Sequence, residues 1–165
     1  GLGAHLLEVE LTESAVLRDP ERVEAALRHL RARGVRIALD DFGTGYSSLS
    51  HLKRLPLDML KIDRAFVAGL DGDDSANDDA ITGAVIALGQ NLQLQVVAEG
   101  VESASVARRL IDMGCTEAQG YYFSPPIAPA ELAPLLAAGS IQPIPKRPAR
   151  PPRARVSGKT ARGSF

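Results

Sequence analysis

Two rhythms of apolar and polar residues alternate along this chain. Short apolar runs of strand type are followed by stretches in which apolar side chains recur at helical spacing. Leu6 to Leu11 reads as a first strand that closes in Glu10-Leu11-Thr12-Glu13. Asp19 then predicts a helix cap, with Pro20 at the first helical position. Val23, Ala26, Leu27 and Leu30 share one face of that helix, and Gly34 ends it. Val35 to Leu39 is the second strand, and it runs into Asp40 and Asp41. A short helical segment through Leu49, Leu52 and Leu55 stops at Pro56. Leu57 to Asp63 is the third strand, with Lys61 set between Leu60 and Ile62.

An acidic loop (Asp71, Asp73, Asp74, Asp78, Asp79) leads to a helix with Ile81, Val85 and Leu88 on one face. The acids near its start suit the positive end of the helix dipole. Leu94 to Ala98 forms the fourth strand and closes in Glu99-Gly100-Val101-Glu102. A helix with Val106, Leu110 and Met113 inward ends at Gly114, and Cys115 to Ala118 is the fifth strand. It closes in Gln119-Gly120-Tyr121-Tyr122-Phe123, and Pro129 opens a last helix carrying Leu132, Leu135 and Leu136.

Five strand-then-helix units in succession predict an α/β fold with a parallel sheet and right-handed crossovers. Such sheets gather their chemistry at the C-terminal ends of the strands. Glu10, Asp40 with Asp41, Lys61, Glu99 and Gln119 all fall at or near that end. Any one of them is compatible with a cap or a turn; five strands each sending a polar group to one rim point to a site. Adjacent carboxylates repel, so a fold that uses both supplies a cation, and Mg²⁺, Mn²⁺ and Ca²⁺ prefer oxygen ligands. A doubly wound five-strand domain using the Asp pair for phosphoryl chemistry is also compatible with the β/α count. It leaves the polar groups of the other strands unexplained.

Composition narrows the classes. The 165 residues suffice for one domain with a good core, and 45% hydrophobic with 24% charged residues is globular composition. No run of about 18 apolar residues encodes a membrane span, and no charged-then-apolar leader is visible. The lone Cys115 excludes an intrachain disulfide, fits a reducing cytoplasm, and reads as a buried, inert thiol. His5, His29 and His51 lie on unrelated elements and make no zinc set. The net charge of −1 hides an asymmetry, since Pro143 to Phe165 holds seven Lys or Arg, five prolines and no acid. The remainder carries 12 basic and 20 acidic residues, which argues against a nucleic-acid polymer as partner. Residues 141–165 are expected to be a disordered basic tail, and 1–140 the folded part.

Five blocks carry a resemblance to a known family. They are Glu-Leu-Thr-Glu (10–13), Asp-Phe-Gly-Thr-Gly-Tyr-Ser-Ser-Leu (41–49, with Asp40 before it), Leu-Lys-Ile-Asp (60–63), Ala-Glu-Gly-Val-Glu (98–102) and Gln-Gly-Tyr-Tyr-Phe (119–123). In this order and spacing the chain resembles the EAL-type cyclic di-GMP phosphodiesterase domain over about residues 5–137. The resemblance implies a TIM-type (β/α)8 barrel that hydrolyses cyclic di-GMP, a bacterial second messenger, to pGpG with Mg²⁺ or Mn²⁺ in a two-metal site. It implies that Glu10, Asp40, Asp41 and Glu99 are metal-binding acids, with Gln119 in the same shell. Lys61, with Glu99, would be catalytic, holding the hydrolytic water. Glu13 would steady the Asp-Asp-Phe-Gly loop, and Phe42, Gly43, Thr44 and Gly45 belong to a region through which family members often form homodimers. Asp40, at the rigid strand end, is the expected bridging ligand while Asp41 begins the loop. An amine beside two divalent cations is expected to have its ammonium disfavoured.

The chain departs from the family pattern at its front. Eight units of this size need about 220 residues, near the usual barrel size of about 250, and only five are present. The Glu-Ala-Leu block and the Asn-bearing strand after it, both sources of metal ligands in the family, do not occur. The expectation is therefore the C-terminal portion of a barrel, inactive alone, within a phosphodiesterase. The other class of function is a catalytically silent module that binds nucleotide or a protein partner.

Overall fold

The computed structural model describes residues 1–43, 52–72 and 75–139. Five strands form one sheet: β1 (Glu8–Thr12), β2 (Arg36–Phe42), β3 (Met59–Ile62), β4 (Gln95–Ala98) and β5 (Glu117–Ala118). All neighbours are parallel, and the spatial order is β1-β2-β3-β4-β5. Each connection therefore steps to the next strand in the same direction, and right-handed crossovers then put the described connecting helices on one face. A doubly wound sheet needs a reversal of strand order. The described strands have none, so the doubly wound alternative is excluded and the sheet is a segment of a barrel wall.

The helices are α1 (Glu13–Arg18), α2 (Pro20–Arg31), α3 (Arg64–Gly69), α4 (Ala76–Asn91), α5 (Ala104–Asp112) and α6 (Pro129–Ala138), with a 3₁₀ turn at Ala4–Leu6. Asp19 caps α2 as expected, its carboxylate accepting from the Arg22 amide at 3.3 Å. Ser103 caps α5 through the Val106 amide at 3.2 Å. The expected inward faces hold in outline: Leu27, Val85, Val106 and Leu110 are buried, whereas Ala26 is exposed. The short helices α1 and α3 are additions to the sequence reading, because six residues display too little of a 3.6 repeat to be legible. The segment through Leu49 lies outside the described residues up to His51, as do Asp73 and Asp74 of the acidic loop and the tail from Ser140.

All five strands begin later than their apolar runs, β1 at Glu8 and β3 at Met59 among them, and β2, β4 and β5 do so for one shared reason. The amides of Val35, Leu94 and Cys115 turn back to the carbonyls of Leu30, Gly89 and Leu110, at 3.3, 2.9 and 2.9 Å. Those amides close the preceding helices and are lost to the ladder. The first residue of each run is therefore apolar without being strand.

The two faces of the sheet differ. Ile37, Leu39, Leu60, Ile62, Val96 and Ala98 pack on the helix side against Leu27, Val67, Ile86 and Leu110. Among the described residues, the opposite face holds a small apolar band of Ala38, Met59 and Val97. Two residues further along each strand, the same face carries Asp40, Lys61 and Glu99. Toward the strand N-termini it carries a polar belt, in which the Arg36 guanidinium donates to Gln95 and lies 3.5 Å from Glu8. Gln95 in turn donates to Glu117 at 3.0 Å.

Just past β5, the Gly120 backbone lies against Val101, whose amide donates to Gln119 O and whose carbonyl accepts from Tyr122, at 3.0 and 2.9 Å. A Cβ at Gly120 would stand 2.2 Å from the Val101 oxygen and 2.3 Å from its nitrogen. Backbone cannot swing aside as a side chain can, so Gly120→Ala is expected to cost about 3 kcal/mol. Gly83 in α4 has nothing within 4 Å of such a Cβ, and Gly83→Ala is expected to gain about 0.5–1 kcal/mol. Urea unfolding midpoints at unchanged m-value check both signs.

Candidate active site

The rim is assembled by register and by one irregularity. Glu10 pairs with Ala38 and Lys61 with Val97, so alternation brings Glu10, Asp40, Lys61 and Glu99 onto the face opposite the helices. In a regular strand, Asp40 and Asp41 would point to opposite faces. The β2–β3 register shifts between Leu39 and Phe42, and Asp41 adopts a left-handed φ of 54°. A non-glycine residue takes that conformation at a cost of about 1 kcal/mol or more. The expectation that the strand stops before Asp41 is thus corrected: β2 continues to Phe42 and bulges at the aspartates.

Lys61 is the centre of the cluster. Its Nζ lies 2.6 Å from Glu10 Oε1, 2.6 Å from Glu99 Oε1 and 3.7 Å from Asp40 Oδ1, with the Lys61 side chain only 8% exposed. Acids from β1, β2 and the end of β4 thus meet one buried ammonium. The Gln119 amide donates to Glu99 Oε1 at 2.8 Å, which joins β5 to the same group. Burial opposes the Lys61 charge, but hydrogen bonds to Glu10 and Glu99 and the charges of Glu99 and Asp40 outweigh it, and the pKa is pushed up. The expected disfavoured ammonium presupposes divalent neighbours; with carboxylates around it, the ammonium is favoured.

Asp41 behaves in the opposite sense. Burial, a hydrogen bond with Asp63, and the charges of Asp40, Asp63 and Glu99 all raise its pKa. Its amide donates to Asp40 Oδ1 at 3.0 Å. Asp63 is absent from the residues singled out by sequence. It caps α3, accepting from the Ala65 amide at 2.7 Å, and faces Asp41 as well. The signal was available, since Asp63 ends Leu-Lys-Ile-Asp at the C-terminal end of β3 like the other rim residues.

Glu13 opens α1 and is buried, with neither carboxylate oxygen hydrogen-bonded to a described residue. Phe42 is buried at the end of β2, and a Cβ on Gly43 would touch the Phe66 ring at 3.0 Å. Thr44 and Gly45 lie outside the described residues. Cys115 is buried, which pushes its thiol pKa up and matches the inert reading. Beside the cluster an open groove of about 520 Å³ is lined by Arg64, Glu99, Glu102, Gln119 and Tyr121.

The donor chemistry suits Mg²⁺ or Mn²⁺: carboxylate and amide oxygens on one rim are hard ligands, and the ammonium between Glu10 and Glu99 marks where positive charge is required. Among the described residues, no three His, Cys, Asp or Glu side chains are already disposed as a metal cage. The acids are closed on Lys61 instead.

A singly wound parallel sheet that carries its acids, lysine and amide at the strand C-termini belongs to the TIM-barrel-like class of α/β proteins. The EAL domain model matches residues 1–126, and the chain belongs to that family. It is 46% identical over 138 residues to the cyclic di-GMP phosphodiesterase NbdA of Pseudomonas aeruginosa, covering 84% of this chain and 17% of that protein. The EAL domain of Mycobacterium smegmatis DcpA superposes with a TM-score of 0.75 at 48% identity, over 82% of this chain and 60% of that one. The manganese/cy-diGMP complex of Klebsiella pneumoniae BlrP1 at pH 6 superposes at 0.70 with 36% identity, over 76% and 32%. The chain thus spans a minor part of its curated relatives, 17% in the case of NbdA.

The raised pKa of Asp41 has a pH signature. Its ionisation is disfavoured by the fold, so its contribution is most favourable below the ordinary aspartate value of 3.8 and is lost as pH rises through the folded value. Asp41→Asn, melted in EDTA, is expected to exceed the native Tm by a few degrees at pH 7. The difference should close as the pH falls to 3.

Proposed function

We propose that this chain supplies the lysine, amide and most of the acids of a site that hydrolyses cyclic di-GMP to pGpG. One observation carries the reading: Lys61 and the acids of three strands converge at 2.6–3.7 Å in an EAL fold. Support comes also from NbdA, which is named a cyclic di-GMP phosphodiesterase, and from BlrP1, whose complex contains manganese and cy-diGMP. Glu10, Asp40, Asp41, Glu99 and Gln119 would hold Mg²⁺ or Mn²⁺ in a two-metal site. Such ions, when bound, offset the phosphodiester charge and make water nucleophilic near neutral pH.

The chain's own groups do the remaining work. Lys61 offers three N–H donors, so it can hold the attacking water and face the negative charge that grows on phosphate oxygen. Glu99, anchored by Gln119, receives the water's proton. The reaction puts water oxygen on phosphorus and breaks one ester P–O bond, opening the ring, and the departing sugar oxygen takes up the proton that Glu99 received or one from solvent. Glu13 would steady the Asp-Asp-Phe-Gly stretch, and Phe42 and Gly43 would belong to a homodimer contact, whose other expected members, Thr44 and Gly45, lie outside the described residues. In the same reading residues 1–140 are the C-terminal part of an EAL barrel and 141–165 a basic tail, in the cytoplasm. No helix among the described residues is long and apolar enough to cross a membrane.

A silent, nucleotide-binding module is favoured by one feature, the closure of the acids on Lys61 in place of a ready cage. Turnover separates the two. In a protein carrying the whole EAL domain with Mn²⁺, Lys61→Ala is expected to lower kcat on the order of 10²–10⁴-fold, with a smaller change in KM. Undiminished turnover would remove Lys61 from the chemistry, and nucleotide binding without any pGpG would support the silent module.

A further inference from the structure

We infer that Lys61 is a built-in placeholder cation: its ammonium holds Glu10, Asp40 and Glu99 together in the metal-free protein and is displaced from them when a divalent ion arrives. The inference rests on the divalent-cation reading of the rim, but it concerns a state that precedes substrate.

Three carboxylates from three separate strands repel one another, and in a metal-free rim their repulsion would push β1, β2 and the end of β4 apart. The ammonium at 2.6 Å from two of them and 3.7 Å from the third opposes this. It does so from beneath: Lys61 is 8% exposed, whereas Glu10 is 47%, Asp40 24% and Glu99 22% exposed. A cation approaching from solvent therefore reaches the acids' outer oxygens first. Glu10 and Glu99 each use Oε1 for Lys61, and Glu99 Oε1 also accepts from Gln119. Divalent charge on these acids weakens their hold on the ammonium and repels it. Lys61 then has donors free to turn toward water or phosphate. The same side chain thus keeps the ligands gathered before loading and becomes available as a donor after it.

The test compares the native chain with Lys61→Met, a variant of similar length without charge, by thermal melting in EDTA and with Mn²⁺, and by Mn²⁺ titration. Without metal the variant is expected to melt lower by at least about 4 °C. With Mn²⁺ its gain in Tm should exceed the native gain, and its Mn²⁺ affinity should be tighter on the order of tenfold, because a competing positive charge is gone. Equal melting in EDTA, or equal Mn²⁺ affinity, would overturn the inference.

A second measurement needs no substitution. The Lys61 side-chain NMR signal of the native protein should shift as Mg²⁺ is added, with the midpoint of Mg²⁺ binding. A signal that stays fixed through saturation, or no Mg²⁺ binding at all, refutes the placeholder even if Lys61→Met fails to fold. Cyclic di-GMP is left out of both measurements and added only in a separate turnover assay. A protein that exchanges Lys61 for Mg²⁺ yet never makes pGpG would sink the hydrolase reading alone, and one that hydrolyses with Lys61 unmoved would sink the placeholder alone.

Discussion

One buried ammonium against three carboxylates is the interaction on which the rim depends. Its partners sit on three strands, so the ion pairs tie the sheet across its width as well as neutralising a site. Desolvating Lys61 is costly, and such pairs rarely stabilise more than apolar packing of the same volume. Deleting one partner is worse, since about 3–5 kcal/mol is lost when a buried charge is left unpaired. The upward pKa shift of Lys61 shows which effect wins here: hydrogen bonds and neighbouring charge exceed the burial penalty. Nothing apolar in that position would keep the acids close enough to serve a cation.

The rim is held up by a layered inner face. Ala38, Met59 and Val97 form a narrow apolar band, with the Arg36–Gln95–Glu117 belt on one side and the Lys61 cluster on the other. The band separates two polar layers that would otherwise compete for partners. The main core lies behind the sheet, where Ile37, Leu39, Leu60 and Ile62 meet the helices. That core fixes the strands, and the strands fix the side-chain alternation that delivers Asp40, Lys61 and Glu99 to one place. Asp41 is the exception, brought round by a left-handed φ of 54° and a bulge. Strain of this kind persists where the surroundings over-determine it, as they do at functional sites.

Much of this was legible in the chain before folding. Strand-then-helix alternation predicts the parallel sheet, and the C-terminal rule places Glu10, Asp40, Lys61, Glu99 and Gln119 on one rim. What resisted reading were features decided by long-range geometry. Strand starts at Val35, Leu94 and Cys115 depend on amides that turn back to helix ends, and no local pattern distinguishes such residues from the first of a strand. Asp41 looks like a loop residue because a bulged strand and a turn share the same composition. Asp63 reads as the last residue of the third strand; that it caps α3 and faces Asp41 appears only once β2, β3 and that helix are side by side. The charge state of Lys61 turned on which neighbours were assumed, carboxylates or metal ions.

The central claim is that the Lys61 ammonium and the Glu99 carboxylate are energetically coupled across the sheet. A double-mutant cycle with Lys61→Met and Glu99→Gln, followed by urea unfolding in EDTA at neutral pH, measures that coupling without invoking metal or substrate. The contact at 2.6 Å between Nζ and Oε1 predicts a coupling of about 1–3 kcal/mol, with the second substitution costing much less in the presence of the first. Strictly additive losses would contradict it, because they would mean that the ammonium and the acids share a rim without acting on one another.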